Sequence, residues 1–201
     1  IGLMYVMTGT LNMADLAQRL PGGENTKTVF TAFAFFIVGV CMKLALFPLH
    51  LWLPNAYAFA PSIVTTFLAA TATKVAVYVM IRFIFDVFGF DFSFTHFPLQ
   101  EILMTLGMAG IFVASMVAIY QDNLKRMLAY SSVAQIGYLI LGISFANQTG
   151  LMATLLHMLN HGLMKGALFL ALAAVVYRMG IAKLSQMHGI ASRMPLTMAG
   201  F

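Results

Sequence analysis

The sequence predicts an all-α fold, a polytopic bundle of transmembrane helices, from its composition and from the length of its apolar segments. Hydrophobic residues make up 61% of the 201-residue chain and charged residues only 8%. A soluble domain carries roughly 25% charged residues because its surface faces water. The mean hydropathy of +0.91 points the same way. Lipid must therefore be part of the solvent of this chain.

The apolar segments are long enough for five membrane crossings, since a bilayer core of about 30 Å needs about 20 apolar residues. Connectors rich in turn-forming residues separate them, at residues 21–25 and 147–150 among others. Pro61 favours a helix start, and Asp122 or Asn123 could cap the fourth crossing. The predicted crossings are residues 28–57, 61–85, 99–120, 126–145 and 150–177, with further helix stubs before Thr8 and after Pro195.

The chain shows none of the features of several other protein classes. Its formal charge of +5 comes from basic residues scattered through apolar segments, which form no stripe for nucleic acid. The single cysteine, Cys41, excludes an internal disulfide framework. Because the chain opens at Ile1 without a charged leader and closes soon after Pro195, we expect a fragment of a larger membrane protein.

The first crossing is longer than a bilayer requires, and the sequence predicts that it is broken. Pro48 and Pro54 flank His50 within it. Each proline removes a backbone donor and clashes with the carbonyl four residues earlier. Freed carbonyls are tolerated at membrane depth only beside protein or a water-filled cavity. Two interpretations stay open at this point: an ordinary proline kink, or a functional break.

The distribution of charge between the loops predicts the orientation of the bundle. Loops 58–60, 121–125 and 179–195 lie on one side of the membrane, and loops 9–27, 86–98 and 147–149 lie on the other. Positive residues remain on the cytoplasmic side, so the first set is cytoplasmic. That side holds Lys125, Arg126, Arg178, Lys183 and Arg193 against Asp122; the opposite side holds Arg19, Lys27 and Arg82 against Asp15, Glu24, Asp86, Asp91 and Glu101.

Three lysines fall near the centres of their crossings: Lys43, Lys74 and Lys165. A central lysine costs about 2.5–3.5 kcal/mol on insertion scales and cannot easily reach the headgroups from there. We therefore expect these side chains to face the bundle interior or water. All six acidic residues lie in loops or at helix ends, so a carboxylate partner would belong to a helix outside the chain. A purely structural role, with the lysines bound to carbonyls, is the alternative.

The fifth crossing aligns two histidines with its lysine. His157, His161 and Lys165 are spaced by four residues, so they share one helix face over about 12 Å. Imidazole accepts a proton on one nitrogen and releases one from the other, which makes this row a candidate proton path. Polar residues on neighbouring crossings could support it. These are Ser131, Gln135 and Tyr138 on the fourth crossing, and Tyr78, on the same face as Lys74, on the second.

Other chemistry has weaker support in the sequence. His157 and His161 have the spacing of two metal ligands on one helix, but no third ligand of matching type is evident, so no metal site is predicted. Haem binding would need histidines on two helices, with His50 as the available partner, and would make the chain a redox subunit. We predict no cofactor and no catalytic residue. The chain is expected to transport rather than to catalyse, or to form part of a redox-driven translocase.

Four stretches resemble one known family, the antiporter-like subunits shared by Mrp-type cation/proton antiporters, respiratory complex I and membrane-bound hydrogenases. They occur in the family's order and cover most of the chain. They are Lys43 with Pro48-Leu49-His50-x-Trp52-Leu53-Pro54-Asn55-Ala56; Lys74-Val75-Ala76-Val77-Tyr78 with Arg82; Asp122-Asn123-Leu124-Lys125-Arg126-Met127-Leu128-Ala129-Tyr130-Ser131 with Gln135-Ile136-Gly137-Tyr138; and His157-x3-His161-x3-Lys165-x2-Leu168-Phe169-Leu170.

The resemblance implies a fourteen-helix core of two inverted five-helix repeats, each with a broken helix, of which this chain covers the end of the sixth helix to the start of the twelfth. Lys43 falls on the family's lysine in the first broken helix, Lys74 on its relay position in the eighth helix, and Lys165 on its central connecting lysine. The family's glutamate on the fifth helix lies outside the chain. Asn55 is a departure, because many relatives carry aspartate there.

The resemblance also implies a function. Within the family the chain looks most like the D-type member of the Mrp antiporters, which exchange Na⁺ for protons; a proton-pumping subunit of complex I or of a membrane-bound hydrogenase is the alternative. We expect a multi-pass protein of the bacterial inner membrane. Its partners would be other membrane subunits, protons, Na⁺ in an antiporter, and the lipid bilayer, and not nucleic acid.

Overall fold

A computed structural model describes residues 1–20, 27–180 and 182–201. The predicted connector at 21–25, including Glu24, lies outside the described residues. The described chain is helical apart from turns, short loops and one isolated bridge between Asn123 and Lys183, which confirms the predicted all-α class. The α-helices are α1 (Gly2–Thr8), α2 (Met13–Arg19), α3 (Lys27–Leu44), α4 (Trp52–Phe59), α5 (Ser62–Arg82), α6 (Leu99–Ile119), α7 (Leu124–Ser144), α8 (Gln148–Met179), α9 (Ile190–Arg193) and α10 (Pro195–Ala199).

Five helices in the described part of the chain are long and apolar enough to cross a membrane. They are α3, α5 with the π-helical turn Phe83–Val87 that extends it, α6, α7 and α8. At 1.5 Å per residue, the 32 residues of α8 extend over about 48 Å. Because that exceeds the hydrocarbon thickness, α8 must tilt or project from the bilayer.

The first predicted crossing consists of two helices separated by a break. The prediction ran over 28–57, whereas α3 ends at Leu44 and α4 begins at Trp52. Ala45 adopts a left-handed conformation with φ 61°. Two backbone bonds close the end of α3, from Leu46 N to Cys41 O at 3.0 Å and from Ala45 N to Met42 O at 3.2 Å. This is the Schellman pattern that ends a helix, here with alanine where glycine is usual.

The two prolines of this segment have different positions. Pro48 lies in the break itself. Pro54 was expected to interrupt the crossing as well, but it is the third residue of α4. The first amides of a helix have no partner within the helix, so a proline there costs no hydrogen bond. The indole N–H of Trp52 donates to Met42 O at 2.9 Å, which joins the two helices across the break.

The helices pack closely where small residues face each other. α6 and α7 meet at Gly107 and Gly137: a Cβ on Gly137 would lie 2.8 Å from Gly107 O and 2.9 Å from a side-chain carbon of Ile111. α5 and α8 approach at Gly162, where a Cβ would lie 3.2 Å from Ala70 O. Such close approaches are characteristic of transmembrane helix contacts. They fix the positions of the polar side chains that lie between the helices.

Replacement of Gly137 by alanine is expected to destabilise the bundle by about 1–3 kcal/mol, because the new methyl group overlaps backbone atoms that cannot move aside. Gly39 on α3 is the matched control, since a Cβ there has no described atom within 4 Å. Its replacement by alanine should leave stability unchanged or slightly raised. The measurement is the thermal unfolding of the full-length protein in detergent. Equal midpoints for the two variants would contradict the close α6–α7 packing.

Candidate functional site

Lys165 lies near the middle of α8 and is buried, with 3% of its surface exposed. Its ammonium group donates to Leu128 O at 3.0 Å and to the hydroxyl of Ser131 at 2.9 Å, both on α7. No acidic side chain in the described ranges lies within ion-pair distance of it. A buried charge without a counter-charge is costly. Among the described residues, the ammonium group is thus held only by the dipoles of a backbone carbonyl and a hydroxyl group.

Lys74 occupies the neighbouring interface between α5 and α8 and is 8% exposed. Its ammonium group donates to Ala69 O of its own helix at 2.5 Å. The backbone of α8 lies beside it, because a Cβ on Gly162 would be 3.9 Å from Cε of Lys74. Gly162 is three residues from Lys165 in α8. Lys74 therefore packs against the segment of α8 that carries Lys165.

His157 and His161 continue the row along α8. Their rings are nearly parallel, with an interplanar angle of 7° and centroids 6.0 Å apart. His161 is completely buried, and neither of its ring nitrogens has a hydrogen-bond partner among the described residues. Nε2 of His157 is also buried and has no hydrogen-bond partner among the described residues. Buried polar atoms are almost always hydrogen-bonded in native proteins, so these nitrogens require water or a further polar group.

The polar stripe on α7 follows this row in antiparallel register. Ser131 contacts Lys165, and the ring of Tyr138 lies 6.3 Å from that of His157, edge to face. These two pairs place Gln135 level with His161 between them. The α7–α8 interface therefore carries polar groups on both helices from Lys165 to His157.

A cavity of about 510 Å³ lies at the His157 end of this interface. It is formed by the last turns of α7 and the early turns of α8, at the end of the bundle predicted to be extracytoplasmic. A second cavity, of about 430 Å³, borders Lys74 and Gly162 between α5 and α8. The first cavity is lined by Gln135, Tyr138, Leu141, Gly142, Phe145, Ala153, Thr154 and His157.

Lys43 does not join the other two lysines. It lies in the last turn of α3 and is exposed on the surface of the described bundle. The expectation that all three lysines face the bundle interior or water therefore stays a prediction for Lys43, which is not covered by the described helices. The reason is geometric, because α3 turns Val40 and Leu44 toward the core and Lys43 away from it.

The remaining predicted site residues occupy different places. His50 is buried in the break, where its ring lies 5.4 Å from that of Phe47 and 6.1 Å from that of Tyr130. Tyr78 is 47% exposed and accepts a hydrogen bond from Arg82 at 3.1 Å, and Arg82 in turn pairs with Asp86. Tyr78 therefore lies one helical turn from Lys74, but its hydroxyl contacts Arg82 and no described contact joins it to the Lys74 ammonium group. Among the described residues, no group of three His, Cys, Asp or Glu side chains could hold a metal ion.

Two basic residues that the sequence did not place among the candidate site residues make specific contacts. The ammonium group of Lys125 is buried and donates to Ala60 O at 2.9 Å. The guanidinium group of Arg126 donates to the side-chain oxygen of Asn55 at 2.5 Å. Their basic character indicated the cytoplasmic side but gave no sign of their partners, which are 65 and 71 residues away in the chain.

Comparison with known proteins agrees with this arrangement of helices. The chain is 44% identical over 201 residues to the N-type subunit of NADH-quinone oxidoreductase from Desulforudis audaxviator, which covers all of the chain and 40% of that relative. It is 31% identical over 195 residues to the D-type subunit of the Na(+)/H(+) antiporter from Alkalihalophilus pseudofirmus, covering 97% of the chain and 39% of the relative. The chain thus spans about two fifths of the length of these relatives.

A solved structure shows the same fold. It belongs to the membrane-bound sulfane sulfur reductase, described as an archaeal respiratory membrane complex. The match has a TM-score of 0.88 and 36% identity, and it covers 100% of the chain and 40% of the matched one. The whole chain, residues 1–201, matches the family described as "NADH:quinone oxidoreductase/Mrp antiporter, TM". The chain therefore belongs to the NADH:quinone oxidoreductase/Mrp antiporter transmembrane family, the one that its four sequence stretches resemble.

Proposed function

We propose that this chain is the proton-translocating part of a subunit in a multi-subunit membrane complex. The observation that supports this most strongly is the row formed by buried Lys165 and the stacked pair His161 and His157 on α8. Ionisable groups inside a membrane protein are expensive, so they commonly mark ion or proton pathways. Imidazole nitrogens without protein partners can bind water and exchange protons with it.

The proposed path runs from the lysines toward the cavity beside His157. A proton on Lys74 or Lys165 would pass through water to His161 and then to His157. Gln135 and Tyr138, on the facing side of α7, would hold the water in line. From His157 the proton would enter the cavity at the extracytoplasmic end of the bundle. Ser131 and Leu128 O stabilise the charged form of Lys165 until the transfer.

Lys43 takes part in this proposal through a partner outside the chain. Its exposed ammonium group lies in the last turn of α3, beside the break that the sequence predicts at membrane depth. A lysine there requires a carboxylate or water, and none of the described acidic residues pairs with it. A carboxylate on another helix of the full-length protein would hold Lys43 charged. Loss of that partner would favour release of its proton toward Lys74.

The reaction that drives or uses the proton flux can take two forms. Exchange for Na⁺ is favoured by the 31% identity to the Na(+)/H(+) antiporter relative. Coupling to quinone reduction elsewhere in the complex is favoured by the 44% identity to the NADH-quinone oxidoreductase relative. In either case this chain would contribute only the proton path, and the coupled reaction would take place elsewhere in the complex. Its partners would be other membrane subunits, and its location the inner membrane of a bacterium.

Replacement of Ala153 by tryptophan tests the proposed outlet. Ala153 lines the cavity beside His157, so a large ring there should displace water from the path and lower proton flux at least about tenfold. Proton flux would be measured in vesicles containing the assembled complex with the full-length subunit. The control is Ala167→Trp, at an exposed position of the same helix away from this cavity. Equal flux in the two variants would refute the outlet.

A further inference from the structure

The N-terminal end of α7 holds α4 at two points. Lys125 donates to Ala60 O at the end of α4, and Arg126 donates to Asn55 in its first turn. Leu53 and Tyr57, on the inner face of α4, are buried in the core. The ring of Tyr57 also packs edge to face on Phe169 of α8, with centroids 5.6 Å apart. α4 is therefore attached to α7 and packed against α8, the helix that carries Lys165.

The other end of α4 is attached to the helix that carries Lys43. The indole of Trp52 donates to Met42 O at 2.9 Å, and Met42 precedes Lys43 in the last turn of α3. Between the two helices, the ring of His50 lies against Tyr130 of α7. A change in position at the end of α3 would thus be passed to α4 through a hydrogen bond to the backbone.

The same turns of α7 hold Lys165. Its two acceptors, Leu128 O and the Ser131 hydroxyl, come two and five residues after Arg126. A continuous series of contacts therefore joins the backbone beside Lys43 to the acceptors of Lys165. The series consists of Met42, Trp52, Asn55, Arg126, Leu128 and Ser131. Closely packed elements of this kind move as units rather than deform continuously.

We propose that α4 couples Lys43 to Lys165, with Arg126 as the positioning residue that transmits movement of the broken helix to α7. This inference rests on the proposed proton path, since it assigns a link between two of its lysines. When Lys43 changes its charge or its partner, α4 shifts, and Arg126 moves Leu128 O and Ser131 relative to Lys165. In this way a change at Lys43 alters the surroundings of Lys165, and the reverse, without direct contact between the two side chains.

The first test replaces Arg126 by glutamine in the full-length subunit of the assembled complex. Proton flux in vesicles is expected to fall about fivefold to tenfold, with an unchanged amount of the protein in the membrane. The pair Asn55→Asp with Arg126→Lys should recover most of the flux, because a carboxylate and an ammonium group restore the link by charge. Asp122→Asn is the matched control, since Asp122 contacts Ser185 rather than α4, and it should leave flux unchanged.

The second test combines Trp52→Phe, which removes only the indole donor, with Arg126→Gln. If both act on one connector, the double variant should lose no more flux than the more severe single variant. If the fold losses of flux in the two single variants multiply in the double variant, the coupling is overturned. It is also overturned if the loss in Arg126→Gln only follows reduced assembly of the complex, or if Asp122→Asn loses as much flux. If Lys165→Met abolishes flux while Arg126→Gln leaves it intact, this inference fails and the proton path stands. If Lys165→Met leaves flux intact, the path itself fails.

Discussion

Replacement of Lys165 by methionine is expected to reduce proton flux on the order of 100-fold, the size of effect typical of a positioned proton-transfer group. Methionine matches the length of the lysine stem and its apolar character, so packing should change little. It removes the ammonium group that Leu128 O and Ser131 hold in the α7–α8 interface. Proton flux would be measured in vesicles that contain the assembled complex.

Lys183→Met is the matched control for this prediction. Lys183 is exposed in the connector after α8 and takes no part in the buried row. Its replacement should leave flux within about twofold of the original. If the buried lysines of this chain tolerate methionine as well as Lys183 does, they are structural, bound to carbonyls, and the chain is a scaffold.

Replacement of His161 by leucine should have an effect of similar size, on the order of 100-fold. His161 lies between Lys165 and His157 along α8, and its two ring nitrogens are the buried polar atoms that the proposed path requires. Leucine closes this part of the path with an apolar side chain of comparable volume. The measurement is again proton flux, normalised to the amount of the protein present in the vesicles.

The control for His161 is His188→Leu, in the exposed loop before α9. If His161→Leu loses proton flux and His188→Leu does not, the result supports proton transfer along the row of α8. Unchanged flux in His161→Leu, with normal assembly, would contradict it, because a leucine side chain can neither accept nor donate a proton.

The sequence predicted the fold class because composition and segment length depend on the solvent rather than on details of packing. It also predicted the break, since Pro48 cannot continue a helix. It did not predict that Pro54 begins α4 instead of interrupting it. The position of a proline within its helix decides that difference: Pro54 lies in the first turn of α4, where its missing N–H breaks no helical hydrogen bond.

The relative positions of the candidate site residues were predictable where a single helix carries them. The alignment of His157, His161 and Lys165 on one face of α8 follows from helical spacing alone. The structure buries His161 and Lys165 and leaves His157 half-buried, and the role of all three in proton transfer stays a prediction. The contacts between helices were not predictable, because periodicity gives the face of a helix but not its neighbour. The link from Arg126 to Asn55 crosses 71 residues of chain, and the outward direction of Lys43 depends on which face of α3 meets α5.

The most direct test of the proton path is a high-resolution experimental structure of the full-length protein within its complex, with ordered water resolved. We expect water molecules within hydrogen-bonding distance of both ring nitrogens of His161 and of Nε2 of His157, continuing into the cavity lined by Gln135 and Tyr138. If apolar side chains instead seal these nitrogens from water, with no polar group reaching them, proton transfer along α8 is excluded.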